Sequence, residues 1–168
     1  MRLSEIPDGT RVLIDANIFI YALRERSREC AALLRRCARR EVERTITAYI
    51  FAEVVHRLMV SEAIVKGIVK PPHAAKELKR RWREVCEMLR TYREQAEAIL
   101  QMGLELLPPS PAALARALSL QERFGLMSGD SLNLAIAEEN GIKDVASNDA
   151  DLLRVEGFTI WRPGDLPP

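Results

Sequence analysis

Short apolar stretches alternate with longer amphipathic ones along the chain. Five of the short stretches predict β-strands, over residues 11–15, 45–48, 104–107, 144–147 and 158–161. The first strand is apolar on both faces and ends in Asp15. This pattern is typical of a strand inside a parallel sheet that helices cover on both sides.

Between these strands, apolar residues recur at helical spacing. The predicted helices cover residues 18–23, 27–41, 47–60, 73–101, 111–124, 128–140 and 149–155. Ser110 and Ser128 stand where helix N-caps are expected, and Gly103 and Gly125 stand where helices end. Alternating strands and helices predict an α/β fold, a three-layer α/β/α sandwich around a central five-stranded parallel sheet.

The length of the chain favours one domain over residues 1–168. Residues 61–101 are long for a crossover between two strands, so we expect them to form an extra helical arm on one side of the sheet. Apolar runs stay well short of the ~20 residues of a membrane helix. The start of the chain is polar and does not resemble a secretory signal, which predicts a cytoplasmic protein without membrane contact.

The net charge of +1 neither demands nor excludes a nucleic-acid partner. Basic side chains do cluster on two predicted helices, where they could contact an RNA backbone. These candidate RNA-binding residues are Arg35, Arg39, Lys79, Arg80 and Arg83. Such clusters are more often simply a solvated helix face.

Four acidic residues follow predicted strands or open predicted helices: Asp15, Glu53, Asp130 and Asp149. In a parallel sheet these positions lie near one edge, where ligands bind beyond the carboxyl ends of the strands. Structural explanations also exist, since Asp130 and Asp149 in first helical turns would complement the helix dipole and Glu53 fits a solvated polar stripe. Together, however, four carboxylates in one crevice would repel one another unless a cation neutralised them.

The composition restricts which cation that would be. Two histidines and three cysteines without a CxxC motif make a zinc site improbable. Carboxylate oxygens suit hard ions, so we expect Mg²⁺ or Mn²⁺. With no nucleophilic serine or cysteine arrangement in the sequence, this set favours hydrolysis of a phosphodiester by a metal-activated water.

Four motifs in this order give the chain a family resemblance: VLIDANIFI at 12–20, TAYIFAEV at 47–54, GDSLNLA at 129–135 and ASNDADL at 146–152. They resemble the PIN-domain ribonucleases, and most of all the small VapC-type toxins of prokaryotic toxin–antitoxin pairs. The long 61–101 segment departs from those compact toxins.

The resemblance implies roles for individual residues. It makes Asp15, Glu53, Asp130 and Asp149 the catalytic, metal-binding acids, and Asn17 and Ser147 the polar residues that orient them. Asp151 would be an auxiliary ligand or a helix cap. The resemblance also implies an RNA substrate, an antitoxin partner and a homodimer.

Other functions fit parts of the pattern. One alternative is a non-catalytic module that has this fold and binds RNA or protein. Another is a housekeeping RNA-processing nuclease, which would have the same fold and activity but no antitoxin partner. A phosphoacceptor receiver domain needs an acidic pair in the first loop and a lysine after the last strand, which are missing. A haloacid-dehalogenase-like phosphatase needs an aspartate where Asn17 stands.

Overall fold

Five parallel strands form the centre of the fold in the computed structural model, which describes residues 1–166. The strands are β1 (Arg11–Ile14), β2 (Glu43–Thr47), β3 (Glu105–Leu107), β4 (Asp144–Ala146) and β5 (Thr159–Trp161). They lie in the order β3-β2-β1-β4-β5, and every neighbouring pair is parallel. The predicted α/β class and the five-stranded parallel sheet are confirmed.

Within the described residues, seven α-helices connect and cover these strands: α1 (Ala16–Leu23), α2 (Arg28–Ala38), α3 (Ala48–Val65), α4 (Ala74–Val85), α5 (Thr91–Gln101), α6 (Pro111–Phe124) and α7 (Ser128–Glu139). Short 3₁₀ helices cover Leu3–Glu5, Cys86–Met88 and Ala150–Arg154. Val12, Leu13 and Ile14 of β1 are at most 1% exposed, as its apolar sequence predicts. Within residues 1–166 no helix is both long and apolar enough to cross a bilayer.

The strand order places a crevice beside β1. The chain moves outward from β1 through β2 to β3, and then returns to place β4 on the other side of β1. The connections that leave β1 and β4 therefore diverge to opposite sides. A topological switch point of this kind is where open α/β sheets bind ligands, at the carboxyl ends of the strands.

Residues 73–101 do not form the single long helix that the sequence predicts. The helix stops at Val85, a 3₁₀ turn follows, and Leu89 is extended and fully buried before α5 begins. The helical apolar spacing continues across this break, which is why the sequence pattern misses it. Residues 61–65 belong to α3, and α4 and α5 both pack against α3. Whether 61–101 is an insertion with its own role stays a prediction.

Glu62 of α3 holds the start of α5. Only 7% exposed, its carboxylate accepts hydrogen bonds from the backbone N–H groups of Arg90, Thr91 and Tyr92 at 2.9–3.2 Å. Lys66 lies 2.7 Å from the same carboxylate. Burial alone would raise the pKa of Glu62, but Lys66 and these three N–H groups outweigh it and lower the pKa to about 2. A carboxylate thus caps a helix from another element.

Replacing Glu62 with glutamine should lower the free energy of unfolding by about 2 kcal/mol, since charge-assisted hydrogen bonds are lost from a buried site. Urea unfolding at neutral pH measures the change. Glu84→Gln is the matched control, because the Glu84 side chain is 72% exposed and makes a single loose ion pair, 3.5 Å from Arg81. This substitution should lower the free energy of unfolding by less than ~0.5 kcal/mol. Equal stability of the two variants would contradict the capping role.

Candidate active site

Asp15 follows β1 directly and occupies the N-cap of α1. Its Oδ1 accepts a hydrogen bond from the backbone N–H of Ala16 at 2.6 Å. Its Oδ2 accepts two more, from the Ser147 hydroxyl and the Asn17 amide, both at 2.5 Å. Asp15 is therefore held in one orientation by its own helix and by the neighbouring strand end.

Asn17 and Ser147 connect the ends of β1 and β4. The Asn17 amide also donates to Ser147 Oγ at 3.0 Å, and Asn17 Oδ1 accepts from the backbone N–H of Asn148 at 3.1 Å. Ser147 Oγ accepts in addition from the backbone N–H of Asp149 at 3.0 Å. The structure thus brings both predicted orienting residues into contact with Asp15.

Asp149 lies three residues beyond β4, because this strand ends at Ala146 rather than at the predicted Ser147. It is the N-cap of the following 3₁₀ helix, and its Oδ1 accepts from the Asp151 N–H at 2.8 Å. Asp151 itself is mostly exposed and lies 3.3 Å from Arg154. Its role as an auxiliary ligand stays a prediction.

Glu53 projects from α3, which a buried hydrogen-bond chain anchors at its start. Thr47 caps α3 by accepting from the Ile50 N–H at 3.0 Å, and its hydroxyl donates to Asn133 Oδ1 of α7 at 2.6 Å. Thr47 and Asn133 are 0% and 6% exposed. This contact fixes α3 relative to α7, and hence Glu53 relative to Asp130.

Arg57 stands one helical turn after Glu53 and lies 2.7 Å from its carboxylate. The sequence indicated only that the two share a helix face. In the structure Arg57 also lines the cleft, where it is the cationic member of the lining.

Asp130 lies in the first turn of α7. The prediction that Ser128 caps this helix is wrong. Met127 occupies the N-cap position and makes no side-chain capping bond. Burial raises the pKa of Asp130 to about 6, and the charges of Asp149, Glu53 and Asp151 add to that rise.

The four acids open into one cleft of about 250 Å³ at the carboxyl edge of the sheet. Asp15, Asn17, Tyr49, Glu53, Arg57, Met127, Ser128, Gly129, Asp130 and Asp149 line it. Burial raises the pKa of Asp15 to about 6; the hydrogen bond from Ser147 opposes this, whereas the charges of Glu53 and Asp130 reinforce it. Burial and the neighbouring negative charges thus both disfavour the charged forms of Asp15 and Asp130.

The chemistry of this donor set fits a hard divalent cation, which would remove the mutual repulsion and accept carboxylate oxygens as ligands. Glu53, Asp130 and Asp149 face the cleft together with Asp15. In the conformation described for residues 1–166, no three acidic, histidine or cysteine side chains are yet grouped as a metal-ligand set. Arg57 pairs with one carboxylate oxygen of Glu53, and the Asp151 N–H donates to one carboxylate oxygen of Asp149. A bound ion would compete with both contacts.

The candidate RNA-binding residues lie outside this cleft. Arg35, Arg39, Lys79, Arg80 and Arg83 are all exposed, and the cleft lining includes none of them. Arg39 lies 2.5 Å from Glu41, just before β2 begins, and so near the opposite edge of the sheet. Their contact with RNA stays a prediction.

Sequence reasoning missed five cleft residues: Tyr49, Arg57, Met127, Ser128 (predicted only as a helix cap) and Gly129. A signal existed for some of them. A glycine beside an acid in a first helical turn, and a tyrosine two residues after a capping threonine, both lie inside the motifs at 129–135 and 47–54. Asn133 interrupts an apolar run, which marks a buried polar contact.

The sequence matches the family model of the PIN domain over residues 12–157. Among curated proteins none matches closely enough to count as a relative. Several solved structures share the fold, among them three at 14–17% identity.

VapBC2 from Rickettsia felis, bound to a DNA fragment from its promoter, has a TM-score of 0.60 and 14% identity, covering 91% of this chain and 98% of its own. A toxin–antitoxin complex from Klebsiella pneumoniae has a TM-score of 0.56 and 16% identity, covering 88% and 95%. FitAcB from Neisseria gonorrhoeae has a TM-score of 0.54 and 17% identity, covering 92% and 99%. At such identities the likeness establishes the fold.

Proposed function

The chain belongs to the PIN-domain family, and on that premise we propose that it is a Mg²⁺- or Mn²⁺-dependent endoribonuclease. The observation that carries this proposal is the convergence of Asp15, Glu53, Asp130 and Asp149 on one cleft at the switch point of the sheet. Burial raises the pKa of Asp15 and of Asp130 to about 6, and the charges of neighbouring acids add to the rise. Such clusters are more common in functional sites than in structural ones.

In the proposed site, the four acids would hold the cation. The ion would supply positive charge for the scissile phosphate and lower the pKa of the attacking water. Asn17 and Ser147 keep Asp15 in one rotamer through their bonds to Oδ2. Glu53, once released from Arg57, would help to hold the cation or orient the water, and Arg57 would then be free to donate to a phosphate oxygen.

A toxin role in a toxin–antitoxin pair is part of the proposal. It is supported by the VapBC2 structure from Rickettsia felis and by the toxin–antitoxin complex from Klebsiella pneumoniae, which share this fold. An antitoxin protein and a second copy of the chain are the proposed protein partners. A short, basic reading frame next to this one in the genome would support the toxin role over a housekeeping nuclease.

Incubating the purified protein with single-stranded RNA tests the activity. We expect cleavage in millimolar Mn²⁺ or Mg²⁺, none in EDTA, and recovery when the metal is restored. Calorimetric titration of the metal into the protein gives a second readout, independent of catalysis. No cleavage of any RNA, together with no metal binding at millimolar concentration, would instead favour a non-catalytic binding module.

A further inference from the structure

Two large apolar side chains stand exposed in the lining of the acidic cleft. Tyr49, in the first turn of α3, is 45% exposed, and Met127, at the N-cap of α7, is 74% exposed. Building on the proposed ribonuclease activity, we propose that Tyr49, aided by Met127, binds the unpaired base of a nucleotide beside the scissile phosphodiester. Tyr49 would then be a specificity residue that restricts the enzyme to single-stranded RNA.

Gly129 provides the seat for the Tyr49 ring. A Cβ atom on Gly129 would lie 2.6 Å from Cε1, 2.8 Å from Oη and 2.9 Å from Cζ of Tyr49, closer than real Cβ contacts. Gly129 is helical, so its backbone does not require glycine as a positive φ would. Glycine at position 129 therefore leaves the space that the Tyr49 ring occupies, beside Asp130.

Electrostatics favour a base as the group that this ring binds. Four carboxylates and Arg57 line the cleft, so without a cation the cleft repels a phosphate. A base is neutral and offers a flat face to an aromatic ring, and a thioether packs well against such a face. Bases inside a duplex are already stacked on their neighbours and cannot reach the ring. The combination therefore selects an unpaired nucleotide.

The ring also has a purely structural explanation, since it packs on Gly129. That explanation leaves unexplained why nearly half of Tyr49 remains exposed inside the cleft while buried residues anchor the same helix. The Thr47–Asn133 hydrogen bond already joins α3 to α7 without the tyrosine. Fold and binding roles can therefore be separated by mutation.

The test compares Tyr49→Ala, Tyr49→Phe and Leu118→Ala, each first checked by thermal melting. Leu118 is 65% exposed on α6, outside the cleft lining, and controls for the loss of an exposed apolar side chain. On single-stranded RNA we expect Tyr49→Ala to raise KM about tenfold to a hundredfold, the loss typical of one stacked base, with kcat within about threefold. Tyr49→Phe should restore most of the binding, and Leu118→Ala should match the wild type.

A binding readout without turnover uses the Asp15→Asn protein in Mg²⁺ and short single-stranded oligoribonucleotides that carry 2-aminopurine at successive positions. Stacking on Tyr49 should quench the fluorescence of one position, and adding Tyr49→Ala should remove that quenching. Gly129→Ala should weaken RNA binding only by displacing the Tyr49 ring. The Gly129→Ala/Tyr49→Ala double variant should therefore bind RNA as tightly as Tyr49→Ala does.

The outcomes separate this inference from the function on which it rests. If the wild type neither cleaves nor binds RNA, both fail. If it cleaves single-stranded RNA but Tyr49→Ala keeps the wild-type KM and quenching, the base-binding role alone is overturned. It is also overturned if Tyr49→Phe is as weak as Tyr49→Ala, if kcat falls instead of KM rising, or if duplex RNA is cleaved as fast as single strands.

Discussion

Replacing Asp15 with asparagine is expected to slow RNA cleavage by roughly two to three orders of magnitude while the protein remains folded. Asparagine keeps the shape of the side chain and one carbonyl oxygen, which can still accept from Asn17 and Ser147. It removes the negative charge at the switch point between β1 and β4, where the proposed cation binds. We expect kcat to fall by about 10²–10³-fold, the scale on which a single electrostatic group contributes.

The stability of the Asp15→Asn protein should change little or increase. Burial raises the pKa of Asp15 to about 6, which means that its charged form is disfavoured in the metal-free fold. A neutral side chain avoids this penalty, although its NH₂ group would face the Ala16 N–H that now donates to Oδ1. Denaturant unfolding of the metal-free protein should therefore give a value within ~1 kcal/mol of the wild type.

Asp8→Asn is the matched control for this experiment. Asp8 lies before β1, is 76% exposed and pairs with Arg36 at 2.6 Å, far from the acidic lining. It makes the same chemical change outside the site and should keep wild-type cleavage. Cleavage by Asp15→Asn at the wild-type rate would remove the central ligand from the proposal, and equal loss in both variants would point to a general charge effect.

The sequence predicted the sheet and the four acids because both depend on local patterns. Val12, Leu13 and Ile14 are apolar on both faces of β1, and the positions after each strand share one edge of a parallel sheet. The role of Ser147 came instead from the family resemblance, and the structure places its hydroxyl 2.5 Å from Asp15. The strand predictions needed only periodicity and the rule that parallel strands end together.

The features that the sequence missed depend on contacts between distant residues. The break between α4 and α5 occurs where Glu62, 28 residues before Arg90, caps a new helix start. Apolar spacing within 73–101 carries no trace of that carboxylate. The seat of Tyr49 on Gly129 likewise joins two motifs that are far apart in the chain. Side-chain placement across elements is set by packing, which periodicity does not encode.

The stability of the metal-free protein is expected to fall as the pH rises from about 4 to 7. Asp15 and Asp130 have a pKa near 6 in the fold against 3.8 in an unfolded chain, so the folded state binds more protons between these values. Their contribution is complete below pH 3.8 and is lost as the pH rises through 6. Allowing for solvent screening and for shared repulsion, we expect a loss of roughly 2–4 kcal/mol. The lowered pKa of Glu62 acts in the opposite direction, but its stabilising effect is lost only as the pH falls below about 4.5, at the lower end of this window.

Metal should reverse this loss at neutral pH. A cation that binds the folded state alone adds about 2.7 kcal/mol at a hundred times its Kd, which for this chain length corresponds to roughly 5–10 °C in Tm. The expected result at pH 7.5 is therefore a higher Tm in saturating Mn²⁺ than in EDTA, with little metal effect at pH 4, where Asp15 and Asp130 are protonated. Thermal melts across this pH range, with and without Mn²⁺, measure both effects.

The Asp15→Asn/Asp130→Asn double variant makes these measurements specific to the cleft. It should lose most of the pH dependence between 4 and 7 and most of the Mn²⁺ response, because both arise from the same two carboxylates. An Asp8→Asn/Glu84→Gln protein, which removes two exposed acids elsewhere, should keep both. If metal-free stability is flat or rises over this range, or if Mn²⁺ stabilises the double variant as much as the wild type, the acids do not form a cation site. The fold would then be shared with the nucleases without their chemistry.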